Sequence, residues 1–414
     1  MQNKTIEFSV VFLNQALFGL MPLVLLKLLS HYLTPALFGY YSLISSLIAL
    51  MLALPFDSLS QGVIRKVTSY ADTQAKLLNF IISSLGLYLF FVAFYLLAIL
   101  IVASMPWLPK FWHDCLWIMF LYTCSQLFYS YLIAFFNGIR KRILSLILVL
   151  LILCANTLSL LVYFVYFRTD DLFVVFAVLT YSSMAVSVVV FWFYFRNSFL
   201  VKHYQFDAQI GRAIWRFSYP LVLMGVFIWL RNMLSRWLLD IFVDKEAVAV
   251  FSILSTLTIM VPTALQGILS NYYAPIFYAQ EERQPGYTRA IMKRLGYWFL
   301  GFAVLSAIIV WCFDTQIVRL FSSSHYLAYA WMLSPMYFIF ALYIISVFTT
   351  YIIFAEKRTR VLVLPNILLA GLSVISGFFL IKYYGLLGAF LNFIITYFIY
   401  AIGLFWLSFT KLLR

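Results

Sequence analysis

The chain has few charged residues for its length. Only 10% of its 414 residues are charged, while 65% are hydrophobic, and this balance excludes a soluble globular domain. Cysteine and histidine are also scarce, with four of each. Cys115, Cys124, Cys154 and Cys312 show no metal or redox spacing, so we expect them to face lipid or fill the core. We therefore predict no metal site and no cofactor.

Hydrophilic segments large enough for catalysis are lacking too. No GxxxxGK[ST] phosphate-binding loop occurs, so ATP hydrolysis by this chain is not expected. The outer loops are short, and the longest cytoplasmic loop that we predict is 196–217. A membrane glycosyltransferase or polymerase would need acid-bearing outer loops or a domain outside the membrane. The short outer loops leave no room for either, so this class of enzyme is disfavoured. We predict no catalytic residue and no enzymatic activity.

What the chain does contain is a series of apolar spans, each of about twenty residues or more. They run approximately 8–30, 37–63, 77–104, 114–136, 143–167, 172–195, 218–243, 247–277, 295–320, 327–354, 361–381 and 386–409. The first span lacks the short apolar core and cleavage site of a signal peptide, so we expect it to be retained. The sequence therefore predicts an all-α polytopic membrane protein with twelve transmembrane helices.

The distribution of Lys and Arg predicts the orientation. If the N-terminus is inside, 20 of the 28 basic residues lie in cytoplasmic segments and five lie outside. Positive residues concentrate on the cytoplasmic side of membrane proteins, so we expect both termini in the cytoplasm. Topology accounts for most of the net charge of +14, and a nucleic-acid partner is not expected.

An internal repeat divides the spans into two groups of six. Residues 41–47 (YSLISSL) resemble residues 251–257 (FSILSTL) at an offset of 210, and each segment is followed by a proline and then Gln-Gly. A repeat of six spans is parallel, with an axis along the membrane normal. We predict an N-terminal lobe, 1–195, a cytoplasmic linker, 196–217, and a C-terminal lobe, 218–414. On length alone, the linker is equally well an ordinary long loop.

The seventh span, 218–243, carries the charges that we consider functional. Its 26 residues would form a helix about 39 Å long, with Arg231 at the midpoint. Arg236 follows five residues later, and Asp240 lies one turn beyond it on the face that also carries Asn232. Two arginines near mid-helix are costly in lipid, so we expect them to face a wet, polar cavity that an anion can enter. The structural alternative is an Arg236–Asp240 pair, with Arg231 bonded to carbonyls or a neighbouring helix.

Other polar residues inside the spans are further candidates. Asp57 and Gln61 share one face of the second span. The carboxylate of Asp57 either pairs with an arginine of the other lobe, carries a coupling proton, or simply lies near the membrane interface beside Arg65. Lys27 near the outer end of the first span either contacts substrate or extends to the interface. Asp314 and Arg319 are interpreted as an interfacial pair near the outer face and rank lower.

Three segments carry a family resemblance. They are Leu33–Leu43, Ile381–Ala389, and Ile317–Tyr326, in which Ser322 stands where a glycine is usual. Together with the twelve-span plan they resemble the bacterial polysaccharide-exporter flippases, in the superfamily that also contains the multidrug and toxin extrusion pumps. The resemblance implies two six-helix lobes in a V shape around a central cavity.

The resemblance also implies a function. Such a protein translocates undecaprenyl-diphosphate-linked oligosaccharide, an O-antigen or capsule unit, from the cytoplasmic to the periplasmic leaflet of the bacterial inner membrane. We expect a monomer whose partners are this substrate, membrane lipids and other polysaccharide-assembly membrane proteins. A small-molecule exporter of the multidrug type is the alternative, although a drug-cation exporter would need carboxylates where this chain has arginines.

Overall fold

A computed structural model describes most of the chain. The described residues are 4–70, 74–106, 109–167, 170–196, 206–269, 273, 277, 280–281, 284, 286–355 and 359–409. All regular secondary structure in these ranges is helical. Membrane-spanning segments favour helices because each backbone N–H and C=O is then bonded within its own segment, without water.

Seven α-helices are described before the predicted linker. They are α1 (Lys4–Tyr32), α2 (Pro35–Met51), α3 (Asp57–Val67), α4 (Gln74–Ala103), α5 (Lys110–Gly138), α6 (Arg142–Val162) and α7 (Leu172–Phe195). A π-helical turn, Leu52–Phe56, joins α2 to α3, and a second one, Tyr163–Phe167, extends α6. Leu54 inside the first turn is non-helical, next to Pro55, whose ring cannot continue a helix. The predicted second span is therefore two helices in line.

Five long α-helices follow within the described ranges. They are α8 (Ala208–Phe242), α9 (Lys245–Ile268), α10 (Tyr287–Phe321), α11 (Leu333–Ala355) and α12 (Val363–Phe409). Helix α8 begins before the predicted seventh span and bends by 52° between Ala208–Tyr219 and Met224–Phe242, close to Pro220. Helix α9 ends sooner than the predicted limit of residue 277, and most residues from 270 to 279 lie outside the described ranges.

The helices confirm the predicted fold class. Ten of those described are long and apolar enough to cross a membrane, or eleven with the bent α8. Helix α12 has 47 residues, about 70 Å, which is too long for one crossing. It is broken at Gly385 (φ 55°), and a Cβ at Gly388 would meet the carbonyl of Leu380, so the chain turns back there. Counting this hairpin as two crossings gives the predicted twelve.

The helices cluster into two compact units. The first contains Met1–Leu43 and Leu230–Arg414, and the second contains Ile44–Trp229. Helices α2 and α8 each continue from one unit into the other. These boundaries differ from the predicted lobes, which began at residues 1 and 218 and were separated at 196–217. The lobes therefore stay a prediction.

Candidate functional site: a caged arginine

Arg231 lies in the first unit, on the part of α8 that follows the bend. Its side chain is only 9% exposed. The guanidinium carbon lies 5.5 Å from the ring centre of Tyr343, 5.7 Å from that of Tyr397 and 4.7 Å from that of Tyr400. We call these three residues the tyrosine cage. The faces of aromatic rings attract cations, so the cage stabilises the buried charge of Arg231.

Hydrogen bonds hold the cage in place around the guanidinium group. Arg231 Nη2 donates to the hydroxyl of Tyr343 at 3.4 Å, and Arg231 Nε donates to Asn232 Oδ1 at 3.3 Å. The same amide oxygen accepts a bond of 2.8 Å from the hydroxyl of Tyr397. The hydroxyl of Tyr400 donates to Asn366 Oδ1 at 2.5 Å. Asn232, which shares a helix face with Arg236, therefore orients both the arginine and a cage tyrosine.

A second amide connects α8 to the α12 hairpin. Asn392 is 2% exposed; its Nδ2 donates to Ser235 Oγ at 3.2 Å. Asn392 Oδ1 accepts from Ser376 at 2.6 Å and from Thr396 at 3.4 Å. Buried polar groups of this kind are costly unless satisfied, so the network fixes the position of α8 against both arms of the helical hairpin.

Arg236, the second predicted site residue, is also enclosed. Its Nη2 lies 3.4 Å from Ser255 Oγ, and its buried Nε has no hydrogen-bond partner among the described residues. The tyrosines at 41 and 397 are the other groups that interact with its charge. A buried N–H group without a hydrogen-bond acceptor costs free energy. Arg236 can therefore donate one more hydrogen bond, to an acceptor such as a phosphate oxygen.

The alternative in which Arg236 pairs with Asp240 is not realised. Asp240 pairs with Lys245 at the start of α9, and the ammonium group of Lys245 also lies 5.0 Å from the ring centre of Tyr40. In the described part of the chain, neither Arg231 nor Arg236 forms an ion pair with a carboxylate. Asp240 is therefore engaged at the end of the helix and does not neutralise the site.

One expectation about this site was wrong. We expected both arginines to face a wet cavity, but Arg231 is packed against the tyrosine cage and almost fully buried. The sequence argument assumed that water must solvate a charge at mid-helix. Aromatic faces and neutral hydroxyl and amide groups solvate it here instead. The charge itself is nevertheless not neutralised.

Lys27 lies apart from the caged arginine. Its ammonium group donates to the carbonyl oxygens of Arg319 at 2.9 Å and Ser322 at 2.8 Å. These carbonyls belong to the last turn of α10, where the helix dipole favours a cation. The contact joins the ends of the first and ninth spans that we predict to lie on the same side of the membrane.

Asp57 and Gln61 belong to the second unit. Both are exposed, and they lie one turn apart on α3, as predicted. Asp57 opens that helix, where its charge suits the positive end of the dipole. Nearby, the hydroxyl groups of Ser60 and Tyr88 are 3.0 Å apart. The proposed pairing of Asp57 with an arginine is not seen among the described residues.

The predicted interfacial pair of Asp314 and Arg319 does not form. Asp314 Oδ1 instead accepts hydrogen bonds from the backbone N–H of Thr315 at 2.5 Å and from its hydroxyl at 2.9 Å. The bonds follow a break at Phe313, whose backbone is non-helical (φ −125°, ψ 20°). Asp314 therefore restarts the helix after the kink, while the side chain of Arg319 is exposed.

The residues that sequence reasoning missed are the cage tyrosines and the amides behind them. Asn366 and Asn392 were visible as polar residues within apolar spans, and Tyr397 and Tyr400 share a helix face at i, i+3. Nothing in the sequence, however, pairs Arg231 with a ring 112 residues away. Among the described residues there is no group of three or more His, Cys, Asp or Glu side chains that could hold a metal ion.

Comparison with known proteins gives information about the fold only. No protein-family model matches the chain, and no curated protein matches it in sequence. Solved structures do match. An inward-facing multidrug resistance MATE family transporter of the MOP superfamily is 15% identical, with a TM-score of 0.65, over 99% of this chain and 94% of that one.

Two further structures extend the comparison. The lipid II flippase MurJ, in an inward closed conformation, is 14% identical with a TM-score of 0.72, covering 98% of this chain and 88% of that chain. A point mutant of VcmN, a MATE transporter of Vibrio cholerae, is 15% identical with a TM-score of 0.59, over 99% and 96% of the two chains. This chain therefore has the fold that MOP-superfamily MATE transporters and the lipid II flippase MurJ share.

Proposed function

We propose that this protein is a flippase for undecaprenyl-diphosphate-linked oligosaccharide, an O-antigen or capsule repeat unit. One observation carries the proposal: in one unit, the buried Arg231 and the partly buried Arg236 have no carboxylate partner among the described residues. The fold shared with a lipid II flippase and with MATE transporters supports transport rather than enzymatic catalysis.

The chemistry of the cargo matches this site. A diphosphate carries about two negative charges, and guanidinium groups bind phosphate oxygens through planar, charge-assisted hydrogen bonds. In a low-dielectric interior such a contact is much stronger than in water. Arg231 and Arg236 lie five residues apart on α8, about 7.5 Å along the axis. The charges of both interact with Tyr397, which supports their serving one extended head group. The polyprenyl tail would remain in the lipid during translocation by alternating access.

The second candidate function is a multidrug exporter, because several of the similar structures are MATE transporters. The charge of the site argues against a cationic drug. Arg231 and Arg236 would repel it, and Asp240 is engaged by Lys245. Asp57, the other acidic candidate, is exposed and belongs to the second unit.

The proposal includes a location and partners. The protein would span the bacterial inner membrane with both termini in the cytoplasm and act as a monomer. Its partners would be the lipid-linked oligosaccharide, membrane lipids and the membrane proteins that polymerise or extend the polysaccharide.

Complementation tests the proposal. In a strain lacking the gene, Arg231→Ala should reduce surface polysaccharide at least about tenfold, and Arg231→Lys should restore part of it, because a lysine keeps the charge but not the planar fork. Arg212→Ala, an exposed arginine on the same helix, is the matched control and should support normal polymer. Membrane levels of each variant are measured by immunoblot.

Three outcomes would contradict the proposal. Normal polymer from correctly inserted Arg231→Ala would remove that residue from the site. Glycosyl transfer by the purified protein would refute the transporter assignment. Increased sensitivity of the deletion strain to cationic drugs, with unchanged surface polysaccharide, would favour the multidrug exporter.

A further inference from the structure

The tyrosine cage is the feature of the site that the proposed function does not yet use. Three rings from two different helices converge on one guanidinium group: Tyr343 from α11, and Tyr397 and Tyr400 from the second half of α12. Tyr343 and Tyr400 are stacked, with ring centres 5.3 Å apart, and Tyr343 and Tyr397 are 5.0 Å apart. The rings therefore form a single packed wall.

A buried arginine can be stabilised in two ways, and they have opposite consequences for an anionic cargo. A carboxylate partner would stabilise the charge by neutralising it, and an incoming phosphate would then have to compete with that carboxylate. Aromatic faces stabilise the charge through their quadrupoles and leave its net value unchanged. Arg231 has the second arrangement, since its described partners are tyrosines and the amide of Asn232.

We propose that Tyr343, Tyr397 and Tyr400 are the specificity-determining residues of this site: they hold Arg231 buried but not neutralised, so that it selects a diphosphate anion and rejects cations. The inference rests on the proposed function and adds to it the reason for the charge preference. The tyrosines act through Arg231 and are positioning residues, so substitutions at the cage should alter the selectivity of the site for charge as well as its affinity.

The three tyrosines are not equivalent. Tyr400 has the ring nearest to the guanidinium carbon, at 4.7 Å, and its hydroxyl is directed to Asn366. The hydroxyl also interacts with Arg231, so the ring and the hydroxyl are tested by separate substitutions at this position. Tyr343 gives both a ring face and the hydroxyl that accepts the bond from Arg231 Nη2. A carboxylate introduced at position 343 would lie where it can pair with Arg231.

The experiment measures binding to the purified full-length protein in nanodiscs, with farnesyl diphosphate and inorganic pyrophosphate as anionic probes and ethidium as a cationic probe. Tyr400→Phe should bind farnesyl diphosphate within about threefold of wild type, and Tyr400→Leu should bind about tenfold more weakly, because only phenylalanine keeps the aromatic face. Tyr337→Leu controls for loss of a buried tyrosine on the same helix as Tyr343, away from Arg231, and should bind like wild type.

Tyr343→Glu and Tyr343→Gln form a pair that differs only in charge. The Glu variant should bind farnesyl diphosphate about tenfold more weakly than the Gln variant, and it alone should gain affinity for ethidium. A structural role for the ring would affect both variants alike. This pair keeps the inference testable if Tyr400→Leu fails to fold, as judged by gel filtration and thermal unfolding.

The outcomes separate the inference from the proposed function. If wild type binds farnesyl diphosphate but Tyr343→Glu and Tyr343→Gln bind it equally, the cage does not set specificity and the inference is overturned, while the proposed function stands. If wild type binds neither anion, the proposed function fails and the inference with it. Tighter binding of farnesyl diphosphate than of pyrophosphate supports a lipid-linked cargo, whereas equal binding assigns the site to free diphosphate and overturns that cargo.

Discussion

The hydroxyl oxygens of Ser42 and Ser252 lie 2.5 Å apart in the first unit. These two serines are 210 residues apart, which is the offset of the internal repeat, and they occupy the same place in its two copies, YSLISSL and FSILSTL. Residues that meet their own equivalents lie on or near a two-fold axis, as in an isologous contact between subunits. A parallel repeat with its axis between α2 and α9 would produce this contact.

The contact predicts a specific disulfide. In a background without native cysteines, Ser42→Cys combined with Ser252→Cys should form a bond on mild oxidation, because the side chains already touch and cysteine is close to serine in shape. A protease site engineered between the two residues would make the bond visible on a gel. The matched control, Ser42→Cys with Ser255→Cys, moves one cysteine by about a turn and should give little cross-linking. Equal cross-linking of both pairs would contradict the contact.

The fold could be predicted from the sequence because it depends on length and polarity. Apolar spans of about twenty residues must be helices in a bilayer, so the twelve crossings follow from hydropathy alone. Proline explains the broken segment before Asp57, and a glycine with positive φ explains the turn of the α12 hairpin at Gly385. The limits of individual helices were less predictable. Helix α8, for example, extends ten residues into the segment that we assigned to a linker.

The site was predictable only in part. Arg231 and Arg236 stood out because charges inside a membrane span are rare and costly. Their surroundings could not be predicted, because the partners of Arg231 come from α11 and α12 and carry no periodic pattern that identifies α8 as their neighbour. The partners of Lys27 could not be predicted for the same reason, since its two carbonyl acceptors are 292 and 295 residues away. The way in which the helices pack decides which distant side chains meet, and no local pattern in a single sequence identifies those partners.

Gly39 makes a close approach that a larger residue should disrupt. A Cβ at this position would collide with the backbone carbonyl of Lys245, in the first turn of α9. We expect Gly39→Ala to lower the free energy of unfolding by about 1–3 kcal/mol, because backbone cannot move aside as a flexible side chain does. Gly301→Ala is the matched control, since a Cβ on this helical glycine meets nothing within 4 Å. That variant should be neutral or stabilised by up to about 1 kcal/mol.

The measurement for both glycine variants is thermal unfolding of the purified protein in detergent, followed by the loss of helical circular dichroism. The prediction concerns the difference between the two substitutions, which are compared under the same conditions in the same detergent. A stabilising Gly39→Ala would show that α2 and α9 are further apart than the structure places them.

Lys27 should contribute to stability rather than to substrate binding. Its ammonium group bonds two carbonyls at the end of α10, an interaction of a charged donor worth about 1–2 kcal/mol in partly buried sites. We expect Lys27→Met to lower the free energy of unfolding by about that amount and Lys27→Arg to retain part of it. Lys110→Met, at an exposed lysine, should change stability by less than about 0.5 kcal/mol.

Polysaccharide export gives a second measurement for Lys27. If the lysine only stabilises the end of α10, Lys27→Met should export normally at a temperature where the variant remains folded. A severe loss of export with unchanged thermal stability would instead support the substrate contact that the sequence left open.

Glu281 should give the start of α10 a measurable dependence on pH. Burial alone would raise the pKa of this carboxyl group, but hydrogen bonds from the backbone N–H groups of Gly286 at 2.6 Å and Thr288 at 2.8 Å, with the charge of Arg289, lower it below its ordinary value. A lowered pKa in the folded state means that the carboxylate stabilises the fold at pH values above the unfolded pKa of about 4.3. That contribution is lost as the pH falls through the lower, folded pKa.

Hydrogen exchange of the segment around residues 286–288 measures this local effect. At pH 7, the backbone N–H groups of this segment should exchange faster in Glu281→Gln than in wild type. The neutral glutamine side chain accepts weaker hydrogen bonds than a carboxylate, and it carries no negative charge to interact with the positive end of the helix dipole. Comparison of the two proteins at the same pH cancels the intrinsic exchange rates. The difference should persist at pH values above the ordinary carboxyl pKa and shrink only as the pH falls through the lower, folded-state pKa, where wild type becomes protonated. Equal exchange of the two proteins at pH 7 would mean that Glu281 stabilises the helix start by shape rather than by charge, because glutamine has nearly the same shape as glutamate.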